Sequence, residues 1–330
     1  MGDYLCGLVL HMLNKSRGNV VSTLRTAKIT DTSSTNPSSN VLILDGGLGR
    51  ELESVGAPFR QPEWSALSLM EAPDLVAQVH QHFVDAGAKI ITTNTYALVP
   101  FHIGQKQFDE QAFLLAERAA GIARTVAEKC DVLVAGCIPP AFGSYKPELF
   151  CAEQLSSILL PLIEAQAPYI DFWLVETVSS VEEAIAVTSL LKQHSSKPIW
   201  LSYSLSNRHD FATPVTLRSS EPLNAILPTL DNLDAVLFNC SQPEEMEAAI
   251  AFTHSHNAHI PIGVYANSFS EHVRKHDANE MLSTLREDVT PEKYLAYAQT
   301  WVNAGASIVG GCCGIGPAHI QALAQGLVNA

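Results

Sequence analysis

Three cysteines carry the most specific chemistry in this sequence. Cys312 and Cys313 are adjacent in Gly310-Gly311-Cys312-Cys313-Gly314, directly after the apolar run Ala306-Ser307-Ile308-Val309. Cys240 closes a similar run, Ala235-Val236-Leu237-Phe238-Asn239. Neighbouring cysteines do not form an unstrained disulfide, because one peptide unit rarely supplies the required Cα separation and Cβ alignment. Taken alone, the pair reads equally well as two small buried apolar side chains. With Cys240 added it reads as a soft metal site. Glycines let the backbone fold closely around an ion, and three thiolates fill three positions of a tetrahedral zinc centre, leaving one open as in catalytic zinc sites.

An all-sulfur site is electron-rich and a poor Lewis acid, so its natural task is to hold another sulfur. Coordination deprotonates a thiol near neutral pH while leaving it nucleophilic. Such a thiolate can attack the methyl carbon of a sulfonium or quaternary ammonium. The polar residues that end other apolar runs suit the holding of an amino acid. Backbone N–H groups of the Gly46-Gly47 turn can receive a carboxylate, and Glu176 in Val175-Glu176-Thr177 can pair with an ammonium. The bland alternative for Glu176 is a solvated acid at a helix N-terminus. Asp45 shapes the first turn or orients the substrate, and Thr93, Asn94 and Asn267 stand where ligand contacts are expected. The expected catalytic residues are thus Glu176 and Asp45; Gly46, Gly47, Thr93, Asn94, Glu176 and Asn267 bind substrate, and Cys240, Cys312 and Cys313 hold the metal.

Competing motifs carry less. His254, His256 and His259 lack a ligand pattern, and His272 with His276 have the i,i+4 spacing of a helical metal pair but no accompanying His-Glu-x-x-His. A solvated surface explains them. Ser202 and Ser204 lack the Gly-x-Ser-x-Gly nucleophile elbow. Cys130 and Cys151 read as structural, and Cys137 falls near the third strand end without a partner pattern.

Positioning these residues requires a repeated scaffold. From residue 41 onward, apolar runs alternate with helical patterns, and the runs predict eight strands: Val41 to Asp45, Lys89 to Thr93, Val132 to Gly136, Asp171 to Glu176, Ile199 to Ser204, Ala235 to Asn239, Pro261 to Tyr265 and Ser307 to Gly310. Near-continuous apolar runs suit parallel strands buried on both faces. Helix punctuation agrees: Pro73 and Asp74 start one helix and Gly87 stops it, while Thr290, Pro291 and Glu292 start another that Gly305 stops. An α/β fold closed as a (β/α)₈ TIM barrel is expected over a doubly wound sheet, because the first turn, Asp45-Gly46-Gly47-Leu48-Gly49-Arg50, lacks the Gly-x-Gly-x-x-Gly spacing. In such a barrel the ends of strands six and eight share one rim.

Composition sets the outer bounds. The 330 residues fit one barrel, 41–330, preceded by an extension, 1–40. Thr32 to Asn40 is a linker-like run, and the Lys, Arg, Ser and Thr of the extension give a weak transit-peptide character beside the simpler reading of an unstructured leader. A net charge of −14 opposes nucleic acid as a partner, and the longest apolar runs fall short of the roughly 18 residues of a membrane span. Seven irregularly spaced cysteines argue for a reducing compartment, so a cytoplasmic location is expected, with mitochondria as the alternative. A homo-oligomer is compatible with these data.

At Leu44-Asp45-Gly46-Gly47, Thr93-Asn94-Thr95-Tyr96, Val175-Glu176-Thr177, Phe238-Asn239-Cys240-Ser241 and Gly310-Gly311-Cys312-Cys313-Gly314, the sequence resembles the zinc- and thiol-dependent homocysteine S-methyltransferases. The resemblance implies a (β/α)₈ barrel holding Zn²⁺ through Cys240, Cys312 and Cys313, with homocysteine sulfur as fourth ligand. It also implies that Gly46 and Gly47 meet the homocysteine carboxylate and Glu176 its amino group. The partners are then homocysteine and a small methyl donor. Ala97 follows Tyr96 where betaine-dependent relatives resemble one another in a further aromatic, which disfavours betaine and leaves S-methylmethionine or S-adenosylmethionine. Alternatives are methylation of another thiol or a selenol such as selenocysteine, a betaine-type donor, or a barrel that only binds zinc and thiols.

Overall fold

A computed structural model describes residues 41–60, 62–208, 212–269 and 284–328. The extension, Cys6, His272 and His276 lie outside the described residues. Eight parallel strands form one sheet: β1 Leu42–Ile43, β2 Ile90–Thr92, β3 Leu133–Ile138, β4 Phe172–Val178, β5 Ile199–Ser204, β6 Ala235–Asn239, β7 Ile262–Tyr265 and β8 Ile308–Val309. The strand order β1-β8-β7-β6-β5-β4-β3-β2 leaves β1 and β2 at the two ends, and a parallel bridge between Leu44 and Ile90 joins them. Asp45 N donates to Ile90 O at 3.0 Å and Lys89 N to Ile43 O at 2.8 Å, so the sheet closes on itself as a (β/α)₈ barrel.

The helices fill each crossover in turn. The first crossover holds α1 Leu48–Ser54, α2 Ser65–Glu71 and α3 Pro73–Asp85, and the second holds α4 Pro100–Ile103 and α5 Gln105–Cys130. Single helices follow: α6 Ala152–Gln166, α7 Val181–His194, α8 Leu227–Leu230, α9 Pro243–His256, α10 Pro291–Ala304 and α11 Pro317–Val328. The expected punctuation is present. Pro73 opens α3, Thr290 Oγ1 caps α10 by accepting from Lys293 N at 3.3 Å, and Gly87 and Gly305 turn the chain into the following strands at φ of 106° and 119°.

The barrel is filled in layers because side chains alternate along each strand. On β4, Phe172, Leu174 and Glu176 share one face; on β6, Ala235, Leu237 and Asn239 do. The Phe172 and Trp200 rings meet at 4.2 Å between centroids, forming the apolar floor. Above it the same faces turn polar, ending in Glu176, Asn239 and Tyr265 at the C-terminal rim. The opposite faces, including Val175, Val236, Phe238 and Val264, join the shared core with the helices.

Strand ends differ from expectation at the two seam strands. β1 and β8 are two residues each where five and four were expected. The backbone stays extended beyond β1, since Leu44 N still donates to Val309 O at 2.8 Å, but the following turn takes over its pairing. β4 runs two residues past Glu176, and its register with β5 slips between Val175 and Val178. This bulge spans Glu176 and Thr177, an irregularity of the kind that re-aims side chains beside active sites.

Candidate active site at the cysteine-lined rim

Cys240 leaves β6 with a left-handed backbone, φ 50°, its N–H donating to Tyr265 O at 3.2 Å. Cys312 and Cys313 follow β8 after Gly310 and Gly311, and Cys312 N donates to Ala266 O at 2.9 Å. The three Sγ atoms lie within 4.8 Å of one another, the one group of three metal-ligating side chains found among the described residues. Cys312 Sγ is 4.0 Å from Cys313 Sγ and 2.9 Å from Cys240 Sγ. Two sulfurs each about 2.3 Å from zinc at tetrahedral angles stand roughly 3.8 Å apart. The first distance fits, and the second would have to open by about 1 Å for the three sulfurs to hold zinc. The donor set is thiolate-only, which suits zinc.

Electrostatics favour one thiolate in this cluster before metal binds. Sulfur contacts from Cys312 and Cys313, with further hydrogen bonds including one from Tyr145, hold the Cys240 thiol well below its ordinary value. The contact with Cys240 pushes Cys312 and Cys313 well above theirs. The first charge thus opposes the next, and a metal ion bound by all three sulfurs would favour loss of the remaining protons. Tyr145 Oη donates to Cys240 Sγ at 2.7 Å.

All three cysteines open into a cavity of about 700 Å³ at the C-terminal ends of the strands. Asp45 and Glu176 line its floor. Burial pushes both carboxyls up to about 7, although Asp45 accepts from Thr92 N at 2.7 Å and Thr92 Oγ1 at 3.0 Å. Two buried polar atoms on the wall, Tyr265 Oη and Trp64 Nε1, have no hydrogen-bond partner among the described residues. Orphaned groups of this kind mark places where a polar ligand or water completes the bonding. Backbone strain gathers here too: Trp64, Tyr145, Thr177 and Cys240 all have positive φ and all line the cavity.

A family model described as homocysteine S-methyltransferase matches residues 42–327. The chain belongs to the homocysteine S-methyltransferase family. It is therefore a methyltransferase, an enzyme rather than a zinc-storing barrel. Homocysteine S-methyltransferase of Escherichia coli (strain K12) is 30% identical over 306 residues, covering 86% of this chain and 94% of that protein. Selenocysteine Se-methyltransferase of Brassica oleracea var. italica is 29% identical over 322 residues, covering 87% and 89%. The metallated form of the homocysteine methyltransferase MmuM from Escherichia coli has a similar fold, with a TM-score of 0.71 at 26% identity, covering 86% of this chain and 96% of that one.

Within this homocysteine S-methyltransferase barrel, every residue singled out from the sequence as ligand, catalyst or substrate contact lines the one cavity. Their polar atoms are not equally available. Gly47 N already donates to Ile315 O at 2.9 Å, so that N–H is committed to the scaffold. Thr93 Oγ1 donates to Gln166 Oε1 at 2.6 Å and accepts from Cys137 N at 2.9 Å, which makes it a strut between β2, β3 and α6. Asn94 Nδ2 donates to Ser65 O at 3.1 Å, and Asn267 Oδ1 accepts from Phe269 N at 3.2 Å. Asp45 likewise braces β2 through Thr92. His254, His256 and His259 are exposed, as expected of a solvated surface.

Sequence reasoning gave no role to Trp64, Tyr145, Arg218 or Asn239. Asn239 is a buried hub: its Oδ1 accepts from Thr177 N at 3.1 Å and Ser202 Oγ at 2.8 Å, and its Nδ2 donates to Thr177 Oγ1 at 2.9 Å. It thereby holds the bulge that follows Glu176 against the strand that presents Cys240. Its place immediately before Cys240 was the available signal. The arginine and aromatics come from loops whose convergence has no signature in local spacing.

Proposed function

We propose that this enzyme moves a methyl group from a small sulfonium donor, S-methylmethionine or S-adenosylmethionine, to the sulfur of homocysteine, giving methionine. The observation that carries it is the three-cysteine cluster opening into the same cavity as Glu176. Zinc held by Cys240, Cys312 and Cys313 would supply acidification of a fourth sulfur while preserving its nucleophilicity. Glu176, ionised on meeting the homocysteine ammonium, fixes the amino end of the substrate, and the Gly46-Gly47 turn accommodates its carboxylate at close range. Asp45 fixes the first turn through Thr92 and so keeps that carboxylate wall in place. Phe59, Trp64, Tyr96 and Tyr145 line the cavity, aromatic walls that limit the access of water and suit a cationic methyl donor. Holding both reactants in line then supplies much of the rate.

These aromatics change the argument about the donor. An aromatic lining was expected to be poor because Ala97 follows Tyr96, yet rings from distant loops converge on the cavity, so betaine is retained as an alternative donor. The likeness to a selenocysteine Se-methyltransferase keeps a selenol as an alternative acceptor.

The deciding experiment loads the full chain with zinc and follows methionine formation from homocysteine across S-methylmethionine, S-adenosylmethionine and betaine, with selenocysteine as competing acceptor. Turnover with a sulfonium and its loss together with bound zinc in Cys240→Ser are expected. A Cys240→Ser protein that keeps stoichiometric zinc and full activity would sink the proposal.

A further inference from the structure

We infer that Tyr145 protects Cys240 from being methylated in place of the substrate, by donating a hydrogen bond to the sulfur lone pair that would compete. The inference rests on the methyltransferase reading above. A thiolate ligand beside an alkylating donor is itself a nucleophile. If Cys240 attacked, its sulfur would form a new bond to the methyl carbon, the donor's carbon–sulfur bond would break, and the electron pair would leave with the neutral sulfide. The product, a thioether on Cys240, is a weak zinc ligand, so one misdirected turnover would dismantle the site.

The geometry that prevents this is specific to Cys240. Tyr145 Oη stands 2.7 Å from its Sγ and 3.4 Å from its carbonyl oxygen, on the wall where the cavity receives ligands. A hydrogen bond donated to an ionised sulfur draws charge from it and must be broken for that sulfur to attack. The phenol is held in place at a cost. Tyr145 adopts φ 64° and Cys240 φ 50°, both left-handed, so the chain accepts strain on each side of the bond. The Arg218 guanidinium stacks 4.5 Å from the Tyr145 ring centroid, and the preceding Ser144 Oγ bonds Tyr96 Oη at 2.7 Å, which pins the loop from two directions. Tyr145 is therefore a positioning residue: it touches a proposed ligand of the metal and lowers the reactivity of that one sulfur relative to the others around it.

The test treats zinc-loaded full-length protein with iodomethane and maps methylated peptides by mass spectrometry, taking the ratio of Cys240 methylation to that of the Cys312–Cys313 peptide. Iodomethane needs neither homocysteine nor a donor subsite, so the ratio remains readable even if the methionine assay fails. In Tyr145→Phe the ratio is expected to rise about tenfold or more, the worth of a hydrogen bond to a charged group, with zinc lost in proportion. Arg218→Met keeps the hydroxyl and removes the stacked cation, and a smaller rise of about threefold is expected. An unchanged ratio in a folded Tyr145→Phe protein overturns the inference. Should circular dichroism show that variant unfolded, an unchanged ratio in Arg218→Met overturns it instead.

Discussion

Replacing Gly47 with alanine tests how tightly the first and last loops of the barrel interlock. A β-carbon at this position would stand 2.5 Å from the Cys312 carbonyl oxygen, 3.0 Å from its carbonyl carbon and 3.1 Å from Cys313 Cα. An ordinary carbon–oxygen contact is about 3.3–3.6 Å, so the shortfall is roughly 0.8–1.1 Å, against backbone rather than a movable side-chain tip. The cysteine loop is poorly able to retreat, because Cys312 O accepts from Ile315 N at 3.0 Å, Cys312 N donates to Ala266 O at 2.9 Å and Ser268 N donates to Cys313 O at 3.0 Å. Overpacking of this kind costs about 1–3 kcal/mol, and functional groups tolerate displacements of only about 0.5 Å. Gly47→Ala should therefore melt about 2–8 °C lower and bind zinc about 10- to 100-fold more weakly. Scanning fluorimetry and competition against a chromophoric chelator measure the two effects. Gly49→Ala is the control: its β-carbon meets the edge of the Phe59 ring at 3.3 Å, a contact that a side chain can relieve. Wild-type melting and wild-type zinc affinity in Gly47→Ala would refute the reasoning.

Two further outcomes follow from the cavity floor. Burial holds the carboxyls of Glu176 and Asp45 at about 7, above their ordinary values of 4.5 and 3.8. The folded metal-free protein thus keeps protons that the unfolded chain has released, and their contribution to stability, fully present below about pH 4, is lost as pH rises through about 7. Glu176→Gln should flatten part of that decline in urea melts at acid and alkaline pH and weaken homocysteine binding at least about tenfold; an unaltered pH slope would count against the assignment. Asn239→Ala strips Thr177 N, Thr177 Oγ1 and Ser202 Oγ of buried partners, so a loss of about 2–4 kcal/mol and a drop in bound zinc are expected in chemical denaturation and metal analysis. A variant as stable as wild type would show that the hub is dispensable.

The fold was legible because βα repetition writes itself into local pattern. Buried strands such as Ile199–Ser204 and Ala235–Asn239 are apolar on both faces, and Pro73, Thr290, Gly87 and Gly305 mark where helices begin and end. The cysteines were legible because barrel topology brings the ends of nearby strands to one rim, so Cys240 and the Cys312-Cys313 pair could be placed together without coordinates. Polar heads were less so. Thr93 and Asn94 were read as substrate contacts from their place at a strand end, yet each is bonded to a neighbouring element through atoms distant in sequence. Tyr145 and Arg218 approach from loops after different strands, 73 positions apart in numbering, and nothing local to either announces that a ring and a guanidinium stack beside Cys240.

The seam between β1 and β8 has a consequence for how the enzyme is made. Gly47 N donates to Ile315 O, Gly311 N donates to Asp45 O at 3.0 Å, and Leu44 N donates to Val309 O, so the Gly46-Gly47 turn is finished by the last of the eight strands and the loop after it. On the ribosome, Asp45 and Glu176 emerge well before Cys312 and Cys313, and Cys240 emerges with no companion thiolate. A chain stalled before strand eight has neither the full set of proposed thiolate ligands nor the backbone that shapes the Gly46-Gly47 turn. With zinc held by Cys240, Cys312 and Cys313 as proposed, the chain would gain its full ligand set only once strand eight has been made, so a nascent chain would lack the proposed metal centre until then.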